Sequence, residues 1–101
     1  MGFKKLIQPE SVCVIGASTQ SNKVGYALLK NIINGGFKGD VYPVNLNAGE
    51  ILGKKCYPSV SAIPGAVDMA VIVVKRDQVP SVLRECVKKS NKSRNYYYGR
   101  I

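Results

Sequence analysis

The 101-residue sequence contains no histidine, and its three cysteines, Cys13, Cys56 and Cys86, are far apart with no CxxC spacing. Because no histidine is present to complete a ligand set, these cysteines do not predict a zinc site. An odd number of separated cysteines is typical of a reduced, intracellular protein. We expect Cys13 and Cys86 to be small buried apolar residues, since they lie within a predicted strand and a predicted helix.

Long apolar segments are also missing. No run approaches the roughly 20 apolar residues that cross a bilayer, and residues 1–6 lack the hydrophobic core of a signal peptide. The sequence therefore predicts a cytoplasmic protein with no membrane partner.

Acidic residues are scarce. The sequence has six Asp and Glu and 15 Lys and Arg, which gives a formal net charge of +9. Much of the excess positive charge lies from Arg84 onwards. Such a balance favours an anionic partner, whether a phosphorylated ligand, nucleic acid or an acidic protein surface. The length fits one small domain but is short for a complete doubly wound fold.

The most informative stretch runs from Ser11 to Tyr26. A short β-branched apolar run ends at Gly16, passes through small polar residues, and resumes at Val24 with apolar positions at helical spacing. This pattern predicts a strand, a turn and a helix start. Turns of this kind hold phosphorylated ligands in α/β proteins, because the first helical N–H groups point at the space above the strand end.

The remaining pattern predicts two more strands and two helices. The helices are expected at residues 23–34, ended by Gly35-Gly36, and at residues 77–89; the strands are expected at residues 41–44 and 67–74. Pro43 must lie near the end of its strand, since it cannot donate to a ladder. The order predicts an α/β fold with a three-stranded parallel sheet covered by helices. Residues 1–89 would form this domain, and residues 90–101 a polar, basic and irregular tail.

Several residues of the first turn suit a phosphate ligand. Gly16 allows a steep exit from the strand and close ligand approach, the Ser18 hydroxyl can bond a phosphate oxygen, and Lys23 can reach one as a point charge. The alternative is that these are ordinary turn residues with no ligand.

The residue at the end of the second predicted strand argues against a dinucleotide ligand. Asn45 stands where dinucleotide-binding folds place an acidic residue on the ribose, and Gly16 is not part of a GxGxxG motif. These two features weaken an NAD assignment, whereas an amide does not repel a ligand that carries a 3′-phosphate. Lys75 follows Val74 at the same edge, and it either attracts phosphate or is simply solvated.

At this level of detail the chain resembles a known family. The segments that carry the resemblance are residues 11–18, 23–26, 35–39, 41–45, 53–60 and 67–71. They are similar to the CoA-binding domain of NDP-forming acyl-CoA synthetases, which include ADP-forming acetate–CoA ligases and are related to the succinyl-CoA synthetase α subunit. The resemblance implies a Rossmann-like domain that binds CoA at the carboxyl ends of its strands. The predicted CoA site comprises Gly16, Ala17, Ser18, Lys23, Val24, Gly25, Val44, Asn45, Val74 and Lys75.

The resemblance also implies what this chain lacks. Complete synthetases carry a phosphorylated histidine and a nucleotide-grasping unit, whereas this sequence has no histidine. We therefore assign no catalytic residue and no metal, and expect the remaining synthetase domains or subunits as partners. The alternatives are a non-catalytic regulatory module that responds to CoA or another nucleotide, and an NAD(H)-binding redox regulator. Residues 96–98, three tyrosines near arginines, could stack on nucleic acid, but no nucleic-acid module surrounds them.

Overall fold

A computed structural model describes residues 10–89 and 95–99, and its centre is a parallel sheet of four strands. The strands are β1 (Ser11–Ile15), β2 (Asp40–Val44), β5 (Met69–Val73) and β6 (Asn95–Gly99). Their order across the sheet is β2-β1-β5-β6, and every pairing is parallel. The predicted Rossmann-like parallel sheet is confirmed.

Strand β1 lies inside the sheet, and all five of its residues are buried. Cys13 pairs with Tyr42 of β2 on one side and with Ala70 of β5 on the other. Because side chains alternate between the faces of a strand, Val12 and Val14 enter one core cluster and Cys13 and Ile15 the other. This explains why the sequence of β1 is continuously apolar.

One helix packs on each face of the sheet. Helix α1 (Val24–Asn34) buries Leu29 among Val12 and Val14, while α2 (Val79–Lys89) buries Cys86 in the opposite cluster. Both helices fall where the apolar spacing predicts them. A single 3-10 turn at Arg76–Gln78 leads into α2, so the α-helix begins two residues later than expected. No helix in the described part of the chain is long and apolar enough to cross a membrane.

The connection between β2 and β5 folds against the edge of β2. It contains the two-residue strands β3 (Glu50–Ile51) and β4 (Lys54–Lys55) and a 3-10 turn at Val60–Ala62. Ile51 is 3% exposed, so this segment packs into the core. Tyr57 forms a single parallel bridge to Val44, its N–H donating to the Pro43 carbonyl at 2.9 Å. The missing N–H of Pro43 thus faces the outer edge of the sheet and costs no bond to β1.

Strand β6 corrects the prediction for the tail. Residues 90–101 were expected to be irregular and the sheet three-stranded, but Asn95–Gly99 pair with β5 in register from Met69–Asn95 to Val73–Gly99. Tyrosine favours strands, and the edge of β5 has unpaired N–H and C=O groups that a further strand satisfies. The sheet therefore extends past residue 89, and the rest of the predicted tail, residues 90–94 and 100–101, lies outside the described residues.

Candidate functional site: a cleft at the carboxyl ends of the strands

A cleft of about 450 Å³ opens where β1, β2 and β5 end. Its lining residues come from these strand ends, from the segment before the 3-10 turn at residues 60–62, and from α2: Ile15, Gly16, Ala17, Val44, Asn45, Leu46, Pro58, Ser59, Val74, Gln78, Ser81, Val82 and Glu85. Open α/β sheets bind ligands at this edge. Of the ten predicted site residues, Gly16, Ala17, Val44, Asn45 and Val74 line the cleft, and the other five stand in the flanking segments.

The turn after β1 depends on Gly16. This residue has φ of +98°, and a Cβ atom there would overlap the carbonyl group of Val73. Its N–H donates to the Val44 carbonyl at 3.2 Å. Gly16 therefore joins the ends of three neighbouring strands, so the fold itself demands a glycine at the base of the cleft.

Gly25 has a similar structural role on α1. A Cβ at Gly25 would overlap the Gly16 carbonyl, which means that the first turn of the helix packs directly on the turn after β1. The close approach at Gly25 is thus made by the protein backbone. As a result the start of α1 is held beside the cleft.

Ser18 and Lys23 flank the helix start. The Ser18 Oγ accepts a hydrogen bond from the Gln20 N–H at 3.0 Å, so its own hydrogen is still able to donate to a ligand. The first helical bond runs from the Ala27 N–H to the Lys23 carbonyl, and helix geometry leaves the preceding amides without an intrahelical acceptor. Lys23 is exposed at the N-cap, and Val24 after it is 45% exposed. This segment offers N–H groups and one cation to an anion.

Asn45 ties two loops of the cleft together. Its Nδ2 donates to the Ala17 carbonyl at 2.8 Å, and its Oδ1 accepts from the backbone N–H groups of Asn47 and Ala48 at 2.8 and 3.0 Å. The Asn45 amide, which we predicted as part of the CoA site, therefore uses most of its hydrogen-bonding capacity within the protein. Asn45 shapes the cleft between the ends of β1 and β2.

The end of β5 supplies one apolar and one charged residue. Val74 is half-buried and lines the cleft, whereas Lys75 is exposed and precedes the 3-10 turn at Arg76–Gln78. The charge of Lys75 lies one residue beyond the lining. Its contribution to phosphate binding stays a prediction.

One polar side of the cleft was not predicted. Its residues come from the segment before Val60, from the 3-10 turn at Arg76–Gln78 and from α2: Ser59, Gln78, Ser81 and Glu85. The Oε1 atom of Glu85 accepts a hydrogen bond from the Val60 N–H at 3.3 Å, which links α2 to the segment after Pro58. In the sequence, Gln78, Ser81 and Glu85 resemble the solvated face of an amphipathic helix. Only their spacing by three and four residues indicates that they share one surface.

The cysteines do not provide a nucleophile for this cleft. All three are buried and free of disulfides, which confirms the prediction for Cys13 and Cys86. Burial, with a smaller contribution from Glu85, raises the pKa of the Cys86 thiol from 9.0 to about 11. Burial and the nearby Glu50 likewise raise the pKa of Cys56. Near neutral pH these two thiols are protonated and therefore poorly nucleophilic.

Comparison with known proteins places the chain in a family. Residues 10–94 match the CoA binding domain family. The α subunit of ADP-forming acetate–CoA ligase I from Pyrococcus furiosus is 51% identical over 96 residues, covering 91% of this chain and 21% of the relative. ADP-forming acetate–CoA ligase II from Archaeoglobus fulgidus is 48% identical over 90 residues, covering 89% of this chain and 13% of the relative.

A solved structure shows the same fold. The dinucleotide-forming acetyl-coenzyme A synthetase 1 of Ca. Korarchaeum cryptofilum, in complex with phosphate and ADP, superposes with a TM-score of 0.83 at 44% identity. The match covers 88% of this chain and 19% of that one. The chain thus spans about a fifth or less of the length of these relatives. With a parallel sheet, a cleft at its carboxyl ends and a family match over residues 10–94, the chain belongs to the CoA-binding domains found in ADP-forming acyl-CoA synthetases.

Proposed function

We propose that this chain holds CoA for the reaction of an ADP-forming acyl-CoA synthetase. The observation that carries the proposal is the position of the cleft, between the three strand ends that Gly16 joins and beside the start of α1. A phosphate at this helix start would meet free N–H groups, the Ser18 hydroxyl and the Lys23 charge. The names of these two relatives support acetate as the substrate of the complete enzyme.

In that reaction the chain would supply the binding step. CoA would lie with its phosphates at the turn after β1 and its thiol directed towards an acyl group activated elsewhere. The sequence has no histidine to carry a phosphoryl group. A partner domain or subunit must therefore provide it, together with the nucleotide site.

Calorimetric titration with CoA, dephospho-CoA, ADP and NAD at two salt concentrations tests the proposal. We expect CoA to bind most tightly, and to bind more weakly at the higher salt concentration because its phosphates meet exposed cations. Comparable binding of NAD would instead favour the redox regulator. A folded chain that binds none of these ligands would contradict the proposal.

A charge reversal locates the phosphates. We expect Lys23→Glu to weaken CoA binding roughly tenfold, because it places a negative charge at the helix start where the phosphates would lie. Lys30→Glu is the matched control, since Lys30 is an exposed lysine within the same helix, away from its N-terminal N–H groups. Equal losses in both variants would mean that only the overall charge of the chain matters.

A further inference from the structure

Polar side chains from the 3-10 turn at Arg76–Gln78 and from α2 line one side of the cleft. The start of α1, with Lys23 at its N-cap, does not line the cleft but packs through Gly25 on Gly16, which does. Gln78, Ser81 and Glu85 are spaced by three and four residues, so they follow one face of the helical segment that borders the cleft. The Ser81 hydroxyl donates to the Gln78 carbonyl at 3.1 Å, which leaves its oxygen lone pairs as acceptors.

Glu85 is held in place by the protein. Its Oε1 accepts the N–H of Val60, a residue that is 2% exposed and begins the 3-10 turn at Val60–Ala62. Ser59 at the N-cap makes no side-chain bond to this turn, so Glu85 takes over part of the capping role. The carboxylate is half-buried, and within the described residues its Oε2 atom has no hydrogen-bond partner. The cleft thus contains an oriented acceptor that carries a negative charge.

A carboxylate in this position restricts how a polyanionic ligand can lie. Phosphates next to Glu85 would face like charge in a partly enclosed space, where such repulsion is stronger than in bulk water. The N–H groups at the start of α1 and the Lys23 charge would attract the phosphates towards the turn after β1 instead. The part of the ligand beside α2 must then be uncharged, and it gains most if it donates a hydrogen bond to the carboxylate.

We propose that Glu85 accepts a hydrogen bond from an N–H group of CoA and thereby fixes the orientation of the ligand in the cleft. This inference rests on the proposed function. CoA offers two sources of such a donor, the amide groups of the pantetheine arm and the exocyclic amine of adenine. Both share the chemistry of an uncharged N–H donor, and either satisfies the Oε2 atom.

The test compares Glu85→Gln with the unmodified chain by calorimetry. Glutamine has nearly the size of glutamate and keeps an oxygen for the Val60 N–H, but it turns an NH₂ group towards the ligand. The N–H donor of the ligand would then face another donor instead of an acceptor. We expect CoA affinity to fall about tenfold or more, the range found for hydrogen bonds to charged groups. Glu50→Gln is the matched control because Glu50 is exposed on β3 and does not line the cleft.

A comparison of ADP with CoA identifies the donor. If adenine donates, Glu85→Gln weakens the binding of ADP and of CoA to the same degree. If pantetheine donates, the variant weakens the binding of CoA but not that of ADP. Both outcomes support the proposal. An unchanged melting temperature would show that the variant still folds.

Other outcomes overturn the proposal. Equal CoA affinity in Glu85→Gln and the unmodified chain would leave Glu85 as a helix cap only, with the proposed function intact. Tighter CoA binding by Glu85→Gln would place the phosphates at α2 and reverse the orientation. If the unmodified, folded chain does not bind CoA at all, the proposed function and this inference fail together.

Discussion

The Nδ2 atom of Asn45 donates to the carbonyl oxygen of Ala17 at 2.8 Å, joining the loop after β2 to the turn after β1. The same side chain accepts two backbone N–H groups through its Oδ1 atom. One residue thus fixes the separation of two loops that border the cleft, and its loss would affect both stability and ligand binding.

Replacement of Asn45 by alanine should destabilise the fold. The change leaves the Asn47 and Ala48 N–H groups without their acceptor and the Ala17 carbonyl without its donor, and we expect a loss of about 1–3 kcal/mol. Urea unfolding measures it. Asn47→Ala is the control, because only the backbone of Asn47 takes part in this network, and it should stay within about 0.5 kcal/mol of the unmodified chain. Equal midpoints for the two variants would contradict the role assigned to Asn45.

The glycine pair at the base of the cleft should tolerate no side chain. We expect Gly16→Ala and Gly25→Ala each to lose about 2 kcal/mol or more, since the new Cβ atoms overlap backbone carbonyls and Gly16 also has a positive φ. Thermal unfolding checks this. At Gly49 a Cβ would meet nothing within 4 Å, so Gly49→Ala should change stability by less than about 1 kcal/mol. A stable Gly16→Ala variant would show that the turn can rearrange.

Much of the architecture can be predicted from the sequence for a simple reason. Residues 11–15 and 69–73 are almost continuously apolar because the sheet buries both of their faces, and the helices show the one-sided spacing of elements covered on one side. In these segments the apolar pattern of the sequence therefore reflects burial directly. Strand β6 is harder to predict, since its three tyrosines are flanked by polar residues in the sequence and its pairing with β5 is a long-range contact.

The candidate site was predictable only in part. Gly16, Asn45 and Val74 lie directly after strands, so parallel topology brings them together at one edge. Glu85 is the seventh residue of α2, where a polar side chain normally indicates a solvated face. Its place in the cleft depends on how α2 packs against residues 58–60, and no local pattern encodes that contact.

The thiol of Cys86 makes stability depend on pH in the alkaline range. Its pKa rises from 9.0 to about 11 on folding, because burial disfavours the thiolate. Below about pH 8 the thiol is protonated in both states and its contribution is complete. Between pH 9 and 11 the unfolded thiol ionises while the folded one does not, so stability falls as pH rises.

Comparison with Cys86→Ala isolates this effect from other titrating groups. We expect the difference in unfolding free energy between the two proteins to shrink from about pH 8 to about pH 10.5 in urea titrations. A difference that stays constant over this range would contradict the elevated pKa.

Removal of residues 90–101 should expose the edge of β5. Its backbone groups would lose the ladder to β6, so we expect lower stability and self-association. Light scattering after size exclusion and hydrogen exchange of residues 69–73 measure the two effects. Removal of residues 100–101 alone keeps β6 and is the control. A monomeric truncated chain with protected β5 amides would show that β6 adds little.

The two outer edges of the sheet differ in what they can accept. At β2, the Pro43 carbonyl and the Asn45 N–H are already bonded to Tyr57, and Pro43 has no N–H to offer. At the other side β6 is outermost and pairs only with β5 in the described part of the chain. A strand contributed by a neighbouring domain or a second molecule would therefore have to displace Tyr57 to pair along the end of β2.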